Sequence, residues 1–152
     1  MTKYLVTIIF FFFLSLGAAQ TQEEKAKNTV DSFFEAFHNR DGEGMKKWIH
    51  GDARLQRTAP NEQGIQSLSG QNFEDLIAGI VSMPDATVFE EKLLSYAIQI
   101  DGPLAHVWTP YEFWLDNTLH HSGANSIQLF NEDGKWKIIY LVDSRTSEGT
   151  KE

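Results

Sequence analysis

The chain has 152 residues, 41% hydrophobic and 22% charged, with no cysteine, and 13 Lys and Arg against 21 Asp and Glu give a net charge of −8. That is the composition of one globular domain without disulfides, thiolate metal sites or a cysteine nucleophile. An acidic chain with no Lys/Arg cluster also lacks the basic patch that releases counterions from a phosphate backbone, which argues against nucleic acid as a partner.

Lys3 precedes an apolar run, Tyr4 to Leu16, and Gly17, Ala18 and Ala19 follow it. A basic residue, a 13-residue apolar stretch and a small-x-small pair are the parts of a secretory signal peptide, with cleavage after Ala19. The stretch is shorter than the roughly 20 residues of a spanning helix, so no membrane span is expected after cleavage; an uncleaved N-terminal anchor is the alternative. Residues 1–19 thus read as an export signal, 20–147 as the folded domain and 148–152 as a disordered tail, and the expected location is periplasmic or secreted. Loss of Lys3 leaves 12 basic and 21 acidic residues, a charge of −9 on the mature chain.

Helical periodicity fills the first half of the domain. Ala26, Val30, Phe33, Phe34 and Phe37 recur at helical spacing and predict an amphipathic helix from Glu23 to Asn39. Asp41 can cap a short second helix carrying Met45, Trp48 and Ile49, and a strand from Ala53 to Thr58 follows. Asn72 with Asp75 forms a variant capping box ahead of Phe73, Leu76, Ile77, Ile80 and Val81, a third helix that Pro84 stops. From Thr87 onward four long strands are predicted: Val88 to Ile100, Leu104 to Leu115, Thr118 to Phe130 and Lys135 to Ser144. Asp101-Gly102-Pro103, Asp116-Asn117 and Asn131 to Gly134 separate them as hairpin turns, and Pro110 calls for a bulge or an edge position. Helices first and strands second predict an α+β fold, with three N-terminal helices packed in the concave face of a curved antiparallel sheet, a half-open cone.

The segments Ala105-His106-Val107-Trp108-Thr109-Pro110-Tyr111-Glu112-Phe113-Trp114, His121 to Leu129, Gly134-Lys135-Trp136-Lys137-Ile138-Ile139 and Asp143-Ser144-Arg145 resemble the nuclear transport factor 2-like superfamily, over roughly residues 23 to 147. Within it the chain is most similar to the bacterial group named for lumazine binding, related to polyketide-cyclase-like proteins. Ser122 stands where such relatives carry cysteine, and Asn125 where aspartate is frequent. An amide at 125 cannot serve as a carboxylate base.

Residues paired across a hairpin share a face, which brings the polar groups of the strands into candidate sites. A tight turn at Asp116-Asn117 pairs Glu112 with His121 and Trp108 with Asn125; a four-residue turn at Asn131 to Gly134 pairs Asn125 with Tyr140 and Leu129 with Trp136. On this register Trp108, Glu112, His121, Asn125 and Tyr140 lie on one face. Tyr111, Phe113, His120, Ser122, Asp143 and Arg145 lie on the other, with Ser122 opposite Asp143 and His120 opposite Arg145. The register leaves open which face is concave, since a slip of one residue at Pro110 exchanges them.

Glu112, Asp143 and His121 are the candidate catalytic groups, because a desolvated carboxylate beside a hydrogen-bond donor can move a proton. Trp48, Trp108, Tyr111, Asn125, Tyr140 and Arg145 are the candidate ligand contacts, the aromatics by stacking on a flat molecule and Arg145 by pairing with a polar or anionic end. No metal site is expected, since His120 and His121 point to opposite faces and neither His38 nor His50 has a partner at i, i+4. No cofactor is expected either, for want of a glycine-rich phosphate loop. Three functions fit: a domain that binds a small organic ligand, flat or aromatic; a cofactor-independent isomerase, dehydratase or cyclase, as the resemblance also implies; and an accessory domain whose pocket is filled by its own side chains. Two partly apolar sheet faces further predict a homodimer through the sheet.

Overall fold

The computed structural model describes residues 20–148, with side chains through Arg145, so the export signal expected at 1–19 and residues 149–152 of the expected tail lie outside the described residues. Helix α1 spans Gln22–His38, α2 Gly42–Lys46 and α3 Phe73–Val81; the strands are β1 Ile49–Pro60, β2 Gln66–Gln71, β3 Phe89–Leu93, β4 Ala97–Asp101, β5 Leu104–Leu115, β6 Thr118–Glu132 and β7 Lys135–Glu148. None of the described helices is long and apolar enough to cross a membrane.

Each helix starts where a side chain satisfies its free amides. Thr21 and Glu24 close a reciprocal capping box at α1, Asp41 accepts from the Gly44 amide at 2.8 Å, and Asn72 accepts from the Asp75 amide at 2.6 Å. The predicted stripe of α1 is the centre of the core: Ala26, Val30, Phe33, Phe34 and Phe37 are all buried, and the rings meet edge to face. Gly42 brings α2 against α3, since a β-carbon there would lie 3.1 Å from Ile77.

The sheet runs β2-β1-β7-β6-β5-β3, with β4 also on β5. It corrects the expectation in three places. First, β1 lies parallel to β7, so the sheet is mixed rather than antiparallel. A parallel neighbour needs a long crossover, here the whole chain between them, which hairpin logic cannot see. Second, the all-exposed β2 pairs with β1 as an edge strand that carries no alternating pattern. Third, the strand expected from Val88 to Ile100 is two strands. Both pair with β5, and the break at Leu94 to Tyr96 falls opposite Thr109 and Pro110. The amide and carbonyl of one residue point to the same neighbour in an antiparallel strand, and Pro110 gives that neighbour only a carbonyl, to Leu94 at 2.9 Å. The irregularity that Pro110 called for is therefore in the adjacent strand, while Pro110 itself stays in register with Ala124.

Candidate functional site

The face that packs on the helices carries successive cross-strand rows. Val107, Ile127, Leu141 and Leu55 form an apolar row; Thr109, Asn125, Asp143 and Arg57 form the next; Tyr111, Gly123 and Arg145 the one after; and Glu91, Phe113 and His121 a fourth. Above these polar rows lies a half-enclosed cavity of about 190 Å³. Phe34 and Phe37 of α1 and Leu76 and Ile80 of α3 form its apolar wall, opposite the polar floor. A cavity of roughly 150 Å³ accommodates a benzene ring, so this one takes a small ring system.

Two displacements of register build this floor. His120 is an extra residue between the Phe113–His121 and Trp114–Leu119 pairs, so Glu112 faces Ser122 and Thr109 faces Asn125. Around β7, Ile139 is the extra residue, and the last turn is Asp133-Gly134 rather than four residues, with Glu132 paired to Lys135. Asn125 therefore faces Asp143 and not Tyr140, and Gly123, not His120, faces Arg145.

These shifts sort the candidate residues. Tyr111, His121, Asn125, Asp143 and Arg145 all line the cavity, although the expected register divided them between two faces. Glu112, Trp48, Trp108 and Tyr140 do not. Glu112 points to the outer face, opposite Lys92, and accepts a hydrogen bond from Trp114 Nε1 at 2.9 Å. The proposed dyad of Glu112 with His121 is thus undone by the His120 bulge. Trp108 is 44% exposed on the same outer face, Tyr140 donates there to Gln56, and Trp48 packs beside the start of β7.

The central group is one that the sequence reading missed. Glu91, on β3, accepts from Asn125 Nδ2 at 2.7 Å, and its backbone amide donates to His38 Nε2 at 2.9 Å. Its remaining surface faces two cavities, the one described and a second between α1 and β3, so Glu91 is half-buried in the fold with its carboxyl ringed by protein. Desolvation pushes its pKa up to about 7 against the pull of Asn125; the Asp143 charge adds to the rise, and Arg57 and Arg145 oppose it. Asp143 is buried and differently placed. Arg57 Nε donates to both of its oxygens, at 3.0 and 2.9 Å, and the Tyr111 hydroxyl donates to Oδ2 at 3.3 Å. Burial, then the Asp143 charge, pushes the Tyr111 hydroxyl well above the usual phenol range, which keeps it protonated as a donor.

His121 is held between Phe113, stacked at 4.9 Å, and Tyr111, edge-on at 5.7 Å, with its Nδ1 2.9 Å from that of His120. Burial, then the charges of Arg145, His120 and Arg57, pushes its pKa down to about 4. It is neutral at physiological pH. Among the described residues no three His, Asp or Glu side chains are grouped to hold a metal ion. The arrangement supplies one carboxyl poised near neutrality, one ion-paired carboxylate and several neutral donors.

No family profile matches the chain, and no curated protein matches it. Solved structures do. A nuclear transport factor 2-like protein from Cytophaga hutchinsonii superposes with a TM-score of 0.67 at 18% identity, covering 83% of this chain and 99% of that one. A protein with a cystatin-like fold from Nostoc punctiforme gives 0.61 at 17% identity, covering 80% and 89%. A nuclear transport factor 2-like protein from Methylobacillus flagellatus gives 0.61 at 21% identity, covering 82% and 91%. Helices against a curved, unclosed mixed sheet, together with these superpositions, identify the chain as having the nuclear transport factor 2-like, or cystatin-like, α+β cone fold.

Proposed function

We propose that the chain binds a small organic molecule in the cavity and exchanges a proton with it through Glu91, without a cofactor. One observation carries the reading: a carboxyl at the cavity floor, pushed up to about 7, is divided between acid and base near neutral pH, where general acid-base catalysis works best. Asp143 is engaged by Arg57 and Tyr111, so its part is to hold those two side chains. His121 is the neutral donor available to a developing oxyanion, and Tyr111 joins it only by turning its single proton away from Asp143. A flat heterocycle, as the narrower resemblance implies, suits the apolar wall. The open volume counts against a pocket filled by its own side chains.

The test is exchange of a carbon-bound hydrogen of cavity ligands, found by a thermal-shift screen of small cyclic ketones, for solvent deuterium. The native protein is expected to catalyse exchange with a pH midpoint near 7, and Glu91→Gln to lose about 100-fold or more in rate while retaining affinity. Undiminished exchange in Glu91→Gln overturns proton transfer at Glu91. Binding without exchange in the native protein leaves a passive ligand-binding domain, the second reading.

Export by residues 1–19 and a homodimer through the outer sheet face belong to the same proposal. Leu104 and Phe130, paired across β5 and β6, and Trp108 are 49%, 37% and 44% exposed on that face, an apolar patch suited to a second copy. Sedimentation of the native protein as a dimer and of Trp108→Glu as a monomer is the expected result.

A further inference from the structure

We propose that the cavity selects an anion, and that its ligand is a small ring-bearing carboxylate whose charged end pairs with Arg145. The inference rests on the cavity being a ligand site and specifies the ligand's charge. The chain carries −8, yet the charged side chains lining its cavity are balanced in number, two basic and two acidic. Four acidic or guanidinium side chains line it, Arg57, Glu91, Asp143 and Arg145. Arg57 and Asp143 compensate one another through the contacts at 2.9 and 3.0 Å. Glu91 is tied to a neutral amide and is only partly ionised at neutral pH. Among the described residues Arg145 enters no ion pair, so its positive charge is the surplus.

Hydrogen bonding marks the same residue. Arg145 Nε is buried and has no hydrogen-bond partner; Arg40 Nε shares that state, but the Arg40 guanidinium donates to the Pro84 and Thr87 carbonyls, whereas no hydrogen bond or ion pair among the described residues engages that of Arg145. A buried donor left without an acceptor costs about 1–3 kcal/mol, more for a charged group, so native folds rarely retain one unless a ligand, an ion or water answers it. Position agrees with chemistry. In its cross-strand row Arg145 is separated from Tyr111 only by Gly123, so no side chain of β6 stands between the phenol and the guanidinium. The charge of Arg145 is also felt at His121, Glu91 and Tyr111, the cavity's other polar groups.

Shape and charge together narrow the ligand. The planar fork of a guanidinium matches a carboxylate, and the apolar wall of Phe34, Phe37, Leu76 and Ile80 across the cavity takes a ring rather than a second charge. A single surplus positive charge suits a monoanion. A phosphate ester would bring a second negative charge towards Asp143 and Glu91.

The experiment is calorimetric titration of the full chain at pH 7 with benzoate and 2-naphthoate, each beside its primary amide, and with phenyl phosphate. At least one carboxylate is expected to bind about tenfold or more tighter than its amide, the range set by a charge-assisted hydrogen bond. Arg145→Gln is expected to bring each pair within about threefold by weakening the carboxylate alone, and Arg145→Lys to retain part of the preference. Should Arg145→Gln fail to fold, the salt dependence of the native protein decides: carboxylate affinity falls with added salt and amide affinity does not. Equal affinity for acid and amide overturns anion selection and leaves the ligand site standing. A preference that survives in folded Arg145→Gln overturns the assignment to Arg145, and tighter binding of phenyl phosphate overturns the carboxylate. Absence of binding by every probe, amides included, refutes the ligand-site reading, and this inference falls with it.

Discussion

Glu91 shows what strand alternation can reveal and how a charge run hides it. Phe89, Glu91 and Leu93 share one face at period two, with Phe89 buried in the core, so the same rule that located the other strands turns the half-buried Glu91 inward beside it. The neighbouring Glu90 and Lys92 disguise it as a solvated charge run. Gly123 is a second such residue, legible only through its contacts. A β-carbon there would lie 1.7 Å from the Ser144 carbonyl oxygen and 3.0 Å from the Tyr111 ring, so neither backbone nor ring can remain in place. Gly123→Ala is expected to cost about 3 kcal/mol or more, with a fall in melting temperature of ~10 °C, and to displace Tyr111. Gly79→Ala is the matching control, because nothing lies within 4 Å of a β-carbon at this position in the last turn of α3. There alanine is expected to raise stability by about 0.5–1 kcal/mol. Thermal unfolding of both variants separates the close approach at Gly123 from a general intolerance of glycine replacement.

At the level of elements, the local signals were sufficient and the non-local ones were not. Caps, the stripe of α1 and the positions of three hairpin turns are fixed by residues within a few positions of one another, and these were legible; the length of the last turn, two residues instead of four, was not. The faces of the hairpins were not, because a bulge of one residue depends on how strongly each side chain seeks the core. His121, between Phe113 and Tyr111, is drawn inward, and His120 takes the extra position. That one bulge decides that the cavity receives His121 and Asn125 in place of Glu112. Helix α3 tests the link from local signal to site. It has only nine residues and its exposed Asn72 cap holds the first turn, while Leu76 and Ile80 form part of the cavity wall. Asn72→Ala is expected to cost about 1 kcal/mol in chemical denaturation. It should also raise hydrogen exchange in α3 above that in β6, since the loss is local to the helix. Equal acceleration in both elements would show that α3 does not open by itself.

For the molecule as a whole, two titrations in the cavity act on stability with opposite signs. His121 titrates at about 4 in the fold and near the ordinary histidine value of 6.5 when unfolded, so the unfolded chain binds more protons between those values. Stability from this group rises with pH across that window and is lost as the pH falls through it. Glu91 is the reverse: its pKa moves from 4.5 to about 7 on folding, so the folded chain binds the extra proton. Its contribution is fully present below about 4.5 and is lost as the pH rises towards 7, to at most about 3 kcal/mol, reduced by whatever water reaches the carboxyl through the cavity. Between roughly 4.5 and 6.5 the two slopes oppose and the native protein should vary little from these groups; above 6.5 only Glu91 still titrates, and stability should decline. Glu91→Gln keeps an oxygen for Asn125 and removes the titration, so its stability should climb with pH to 6.5 and then stay level. Denaturant unfolding of the two proteins from pH 4.5 to 8 measures the difference directly. A gap that widens in favour of the glutamine variant as the pH rises is the expected outcome. A gap independent of pH would mean that Glu91 is already ionised in the fold, which would remove the poised carboxyl on which the proton-transfer reading depends.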